Sequence, residues 1–425
     1  MRMPFTSRWS TAIVALAVIG AVLAGGCTSN ETTQARSVTV GALLPLTGDA
    51  ASVGANVNAT ISTAETDVNS YLAANNASIR VQLDVKDTGT TPAGALAAMQ
   101  SLHADGVTAV VGPYSSAELK AVTPYAAENG MVLVSYGSSV SSLGVARENV
   151  FRLVPDDSHQ GPALATTMQE RGVRVLIAFV RDDVYGNSLI NVTRTAFEQQ
   201  GGVVTEAAPF SPNTTNFSSA LDAARPQLSQ VVATYSAGSV GVLFIGFENN
   251  TVPMLIAAGS DPQWSTVPWY GVAATPINDI LANETAAQSA ARLNYTAVQQ
   301  IDGQGASYDH LTQNASVQRT VQTPYGSFAY DAMWIISRAL AETGAQNATA
   351  LRDAIPHIAS SYSGITGNTT LNAAGDRAYA NYDFWTIRSE NGTYVKVKTA
   401  QFRTDSLSGA TVIQGPSTST AAMRA

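Results

Sequence analysis

Val38-Thr39-Val40-Gly41-Ala42-Leu43-Leu44, followed by Pro45-Leu46-Thr47-Gly48-Asp49, is the stretch that decides the fold. A short, largely apolar run with no polar alternation predicts a strand buried on both faces, as in a parallel sheet covered by helices. Pro45 and Gly48 then turn the chain. Beyond the turn, Val57, Ile61, Ala64, Val68 and Leu72 recur at three- and four-residue steps, which predicts an amphipathic helix. Strand, turn and helix in that order form the first half of a βαβ unit.

The unit repeats outward from there. Ile79 to Val85 alternates as a strand, Pro92 opens a helix carrying Leu96, Met99 and Leu102, and Val107 to Val111 is a strand. Ser115 and Ser116 open a helix that stops at Gly130, and Met131 to Val134 is the next strand. The pattern restarts after Pro155, with strands at Val173–Val180, Val240–Ile245 and Val267–Tyr270. Helices are expected at Asn187–Gln200 and around Phe217, Leu221 and Ala224. Two successive α/β units follow, each a doubly wound parallel sheet. After Ala274 the pattern turns mostly helical to about Ile358. A late hairpin pairs Tyr382–Ile387 with Tyr394–Gln401 around Asn391-Gly392. Residues 405–425, rich in Ser and Thr, are expected to be a disordered tail.

The amino terminus has a different character. Arg2 and Arg8 precede the apolar run Ala12–Ala24, too short to span a bilayer stably, and Gly25-Gly26 lead to Cys27, the only cysteine. Residues 1–26 read as a secretory signal whose removal leaves Cys27 first in the mature chain, ready for thioether lipidation. Two or more acyl chains would hold the protein at a membrane surface, at roughly 0.8 kcal/mol per buried methylene. Residues 27–37, polar and without an apolar period, would be the tether.

The 425 residues suffice for two domains with good cores, and the formal charge is −8. No basic footprint for nucleic acid is present. Asn-x-Ser/Thr triplets begin at Asn58, Asn76, Asn191, Asn213, Asn216, Asn249, Asn283, Asn294, Asn314, Asn347, Asn368 and Asn391. In a Thr- and Asn-rich chain many such triplets arise by chance, and in an exported protein of an organism that N-glycosylates some would be acceptors for sugar.

An ordered series of segments then carries a resemblance. It comprises Val40 to Gly48; Asp87 through Thr91-Pro92-Ala93; Val111-Gly112-Pro113-Tyr114-Ser115-Ser116; Leu133-Val134-Ser135-Tyr136-Gly137-Ser138-Ser139; Asn149-Val150-Phe151-Arg152; Gln160-Gly161; Asp182-Asp183-Val184-Tyr185-Gly186; and Phe328-Ala329-Tyr330-Asp331-Ala332. From Val38 to Arg403 the chain resembles the type I periplasmic solute-binding proteins, in the leucine/isoleucine/valine-binding branch that feeds ABC importers. The resemblance implies two Rossmann-like lobes with parallel sheets, a three-strand hinge near Pro155, Val298 and Asn381, and a ligand between the lobes. Lobe 1 would take residues 38–155 and 299–381, and lobe 2 residues 156–298 and 382–404.

The resemblance also implies a site. Ser116, at a helix N-terminus, and the loop Gly137-Ser138-Ser139 would hold a ligand carboxylate. Helix amides and hydroxyls stabilise an anion without needing a cation. Tyr185 would cover the ligand from lobe 2, Tyr325 would line a side-chain pocket, and Tyr114 with Tyr136 would form a wall. Val53 stands where an aromatic residue is common. The family's second-lobe acid, which pairs with a ligand ammonium, would fall near Ala273, where no carboxylate stands. A buried ammonium without a counter-charge is costly. Glu248 is the nearest substitute, ahead of Asp182, Asp183 and Asp279.

Chemistry for catalysis is missing from the sequence. No Gly-x-Ser-x-Gly elbow, His-Glu-x-x-His or P-loop occurs, and His103, His159, His310 and His357 follow no ligand spacing. Neither cofactor nor metal is expected. The leading expectation is a lipid-anchored, extracytoplasmic binding subunit working with an ABC permease and its ATPase. Its ligand would be a branched-chain or other neutral amino acid. A short amide or small carboxylate follows, because of Ala273, and a sensory receptor module on the same fold is the alternative role. An enzyme or a glycan adhesin ranks last.

Overall fold

The computed structural model describes residues 35–146, 149–275, 277–301, 303, 305–320, 322–344, 348–404 and 411–414. Cys27, the signal and most of the tether lie outside these residues. β1 (Arg36–Leu44) pairs in parallel with β2 (Ile79–Asp87) on one side and β3 (Ala109–Val111) on the other. β4 (Val132–Ser135) and β5 (Val150–Arg152) complete a parallel sheet of order β2-β1-β3-β4-β5. α1 (Ala51–Ala74), α2 (Pro92–Ala104) and α3 (Ser116–Glu128) connect the strands. The apolar run that predicts β1 is explained by its burial: Val40 through Leu44 are all enclosed. Val57, Ile61, Ala64 and Val68 of α1 pack on that strand's face of the core. Each such aliphatic side chain contributes about 1.5–3 kcal/mol on burial.

The second lobe begins with α4 (Asp157–Glu170) and β6 (Val175–Val180). It continues through α5 (Val184–Gln199), β7 (Val203–Glu206), α6 (Ser218–Tyr235), β8 (Val240–Ile245), α7 (Glu248–Gly259) and β9 (Trp269–Gly271). After α8 (Ile277–Ala282) and α9 (Glu284–Arg292), β10 (Thr296–Gln300) joins the sheet parallel to β9. The chain then returns to the first lobe through α10 (Ala306–Gln313), α11 (Ala315–Gln318), α12 (Pro324–Thr343) and α13 (Ala348–Ser361), with α12 packed on α1. A small ribbon of β11 (Ser363–Gly364) and β12 (Gly367–Asn368) follows. β13 (Asn381–Glu390) and β14 (Thr393–Thr404) complete the second sheet as an antiparallel hairpin against β10. Asn391 and Gly392, at φ 51° and 82°, make the left-handed turn that an Asn-Gly pair favours. Among the described residues no helix is long and apolar enough to cross a membrane.

Three details differ from the sequence reading. Arg36 and Ser37, expected in the tether, belong to β1, because β2 offers backbone partners as far as Arg36 opposite Ile79. Thr296–Gln300, inside a stretch expected to be mostly helical, is a strand, because β9 and β13 flank it and bury Ala297 and Val298 completely. In the expected disordered tail, β15 (Thr411–Gln414) pairs with the open edge of β14.

Candidate ligand-binding site

The lobes face each other across a cleft bounded by strand ends and helix N-termini, where an open α/β sheet places its ligands. From the first lobe the cleft takes Tyr114, Ser115, Ser116, Gly137 and Ser139. From the second it takes Gln160, Tyr185, Phe247 and Ala274, while Gln300 and Tyr325 close the side near the lobe connections. About 280 Å³ between these residues is free of protein atoms, part of it open to solvent, and only about 10 Å³ admits the centre of a water-sized sphere; none of these residues is charged.

The anion end is built locally by α3. Ser115 is the N-cap: its hydroxyl accepts from Glu118 N at 3.2 Å, and Glu118 Oε2 accepts from Ser115 N at 2.7 Å. This capping box leaves the amides of Ser116 and Ala117 as the first-turn donors it does not use, together with the positive end of the helix dipole. The capping role thus falls to Ser115. Ser116 Oγ instead lies 2.9 Å from Ser138 Oγ and accepts from Val140 N at 3.4 Å. Ser138 therefore supports Ser116, while Ser139 and Gly137 face the cleft. A Cβ on Gly137 would stand 2.4 Å from the Tyr114 ring, so only glycine lets this loop approach the aromatic wall.

The walls are aromatic. Tyr114 packs edge-on to Tyr325 at 5.0 Å and lies 5.7 Å from Phe247, which is itself 5.7 Å from Tyr185. Tyr136 is buried behind Tyr114, at 6.2 Å and stacked. Val53 lies in the core of α1, 1% exposed, next to Ser52. Ala273 meets the cleft with its backbone. Its amide donates to Gln160 Oε1 at 2.9 Å and its carbonyl accepts from Tyr325 Oη at 3.0 Å.

Glu248 and Asp279 form a contact between the lobes. Glu248 opens α7 and accepts from Ser52 N at 3.1 Å, and its other oxygen meets Ser52 Oγ. The same hydroxyl lies 3.0 Å from Asp279 Oδ1. Burial raises Asp279 to about 7, with the Glu248 charge adding to the shift. Burial likewise raises Glu248, against the Ser52 hydrogen bonds. A second bridge runs from Arg181 to Asp49 at 2.9 Å, with Asp183 holding the same guanidinium at 2.6 Å and Phe247 beneath it. Tyr114 Oη also reaches Ala274 O at 3.4 Å. The lobes are therefore in the closed arrangement. Asp182 stands just before α5, where its Oδ1 accepts from Asn187 Nδ2 at 3.1 Å.

A buried acid directly behind the cleft residues Gln160 and Ser139 is one the sequence reading passed over. Asp157, the first residue of α4, is fully buried. Gln160 Nε2 donates to its Oδ1 at 2.9 Å, but its Oδ2 has no partner among the described residues. Burial raises its carboxyl to about 8, partly offset by Ser139 and Gln160. Its charge acts on the phenols of Tyr185, Tyr325 and Tyr382, all raised chiefly by burial. Tyr185 Oη, Tyr382 Oη and Gln300 Oε1 are likewise buried without partners. Asp157 Oδ2 and Gln300 Oε1 thus keep unused acceptor capacity here, and the two phenols keep both donor and acceptor capacity. The signal was present in sequence: Asp156-Asp157 stands three residues before Gln160-Gly161, at a lobe crossover.

Residues 56–390 match the family model described as "Receptor family ligand binding region". The chain belongs to that family. Its fold is the type I periplasmic binding fold, and the family is one of ligand binding rather than catalysis. Similar proteins include an uncharacterized protein of Methanocaldococcus jannaschii, 27% identical over 407 residues, covering 89% of this chain and 95% of that one. A leucine-binding protein from Thermotoga maritima superposes with a TM-score of 0.69 at 18% identity, over 85% of this chain and 97% of that one. An ABC-transporter solute-binding protein from Rhodopseudomonas palustris, in complex with 3,4-dihydroxybenzoic acid, gives 0.68 at 15% identity, over 86% and 97%.

Proposed function

We propose that this chain is the extracytoplasmic solute-binding subunit of an ABC importer, anchored through Cys27, and that it captures a neutral amino acid between its lobes. The observation that carries the ligand assignment is the fully buried Oδ2 of Asp157, which has no partner among the described residues and belongs to a side chain held beside the cleft residues Gln160 and Ser139. An α-ammonium supplies the donors that Asp157, Gln300 and Tyr185 lack, and an α-carboxylate suits the α3 amides with Ser116 and Ser139. Asp157 thereby replaces the acid missing at Ala273. The uncharged, aromatic lining favours an apolar or small polar side chain. Closure buries the solute, and the closed form is what a permease would recognise.

A small aromatic or aliphatic carboxylate is the second reading, favoured by the stacked tyrosines and by the aromatic acid bound in the R. palustris relative. Isothermal titration of neutral L-amino acids against their des-amino acids separates the two. Binding of the amino acid but not its des-amino partner supports the first. Equal binding, or binding of carboxylates alone, refutes it.

A further inference from the structure

Asparagine occurs 23 times, and Asn30 adds a thirteenth Asn-x-Ser/Thr triplet to those named above. Serine and threonine together supply 82 of the 425 residues. Random placement would put one of them two positions after an asparagine about four times in this chain. Thirteen is a threefold excess, and no triplet has proline in the middle. Composition rich in Asn, Ser and Thr does not account for it.

The fold places these asparagines selectively. None of the eleven within the described residues is buried, whereas Asn56 and Asn250, outside the motif, are. Asn76 and Asn391 occupy tight turns, both at φ 51°, and Asn213 lies in the loop between β7 and α6. In all three the hydroxyl residue two positions on, Ser78, Thr215 or Thr393, is also exposed. Asn216 with Ser218 and Asn283 with Thr285 are exposed too, though each asparagine Oδ1 is held by the backbone at a helix start, whereas others are closed to an enzyme acting on the folded chain. Thr193 and Thr296, which complete the triplets of Asn191 and Asn294, are buried, and Asn249 Nδ2 is committed to Pro212 O at 3.2 Å.

We propose that Asn76, Asn213 and Asn391 carry N-linked glycans. The donor is a sugar activated on a lipid phosphate or pyrophosphate. The asparagine Nδ2 forms a bond to the sugar's C1, the C1–O bond to phosphate breaks, the lipid phosphate leaves, and the amide nitrogen loses one proton. The inference rests on export of the chain and is independent of which solute it binds. None of the three asparagines lines the cleft, so glycans there leave ligand capture intact.

The test is peptide mapping by mass spectrometry of the full protein purified from the cells that make it. The unmodified recombinant chain serves as mass reference. Glycopeptides are expected at Asn76, Asn213 and Asn391, and N76Q, N213Q and N391Q should each remove one glycan mass. S78A, T215A and T393A should do the same with the asparagine left in place. N75Q, next to Asn76 but outside the motif, should remove none. Recovery of all three sites as unmodified asparagine overturns the proposal. Glycans retained in the hydroxyl-deletion variants overturn it as well. Loss of solute binding in the assay of the preceding section would leave this outcome untouched.

Discussion

Ser52 has one hydroxyl proton and two second-lobe carboxyl groups competing for it, which makes lobe closure dependent on pH. Glu248 and Asp279 converge on that hydroxyl, and Asp279 Oδ2 is buried with no hydrogen-bond donor among the described residues. Two carboxylates sharing one donor at close range hold a proton between them. Asp279 rises from 3.8 to about 7 in the closed arrangement, through burial and the Glu248 charge. The groups facing the pair are Asp49, which raises Glu248 further, and Arg181, which is already held by Asp49 and Asp183. A pKa raised on closing means that closure takes up a proton. The stabilisation is present below the ordinary carboxylate range and disappears as pH rises through about 7. At roughly 1.4 kcal/mol per unit, this pair alone should weaken the closing equilibrium by one to two orders of magnitude between about pH 5 and 8, a contribution read in the Asp157→Asn background, where the carboxyl raised to about 8 no longer titrates against it. Titration calorimetry across that range, in buffers of different ionisation enthalpy, reads both the Kd and the proton uptake. Asp279→Asn leaves a neutral hydrogen-bonding group and should flatten the slope. An affinity constant to within twofold across the range, or a slope unchanged in Asp279→Asn, refutes the shared proton.

Other outcomes follow from the same geometry. Asp157→Asn should weaken amino-acid binding about 100-fold or more, because one partner of a buried charge pair is lost, and leave a des-amino acid within about threefold. Ser116→Ala should cost about 1 kcal/mol, a five- to tenfold rise in Kd, because the helix amides remain. Gly54→Ala places a Cβ 2.1 Å from Pro45 O, so thermal unfolding should show a Tm lower by several degrees, with the cleft residues unchanged.

What the sequence disclosed follows the range of the interactions. β1, the α3 terminus and the Asn391-Gly392 turn were legible because their causes are local: burial of a continuous apolar run, a capping box, two left-handed residues. β10 was not, since Thr296 to Gln300 is a weak strand former held by β9 and by β13, some ninety residues further along the chain. The site divides in the same way. Ser116, Ser139, Tyr114, Tyr185 and Tyr325 were legible through ordered motifs, and the structure brings them to one cleft. The partner of Glu248 is Ser52, 196 residues away, and no local pattern announces such a pair. Asp157 escaped notice because a carboxylate at a helix start reads as a capping group. Only its burial and the empty Oδ2 mark it for a ligand.

Direct titration of the mature protein with L-leucine and with its des-amino analogue, 4-methylpentanoate, in wild type and Asp157→Asn, tests the central claim most directly. The account predicts heat and tight binding for a neutral amino acid, leucine or a close homologue, in the wild type alone. The analogue should bind weakly to both forms. Tight binding of the carboxylate, indifferent to Asp157, would contradict it.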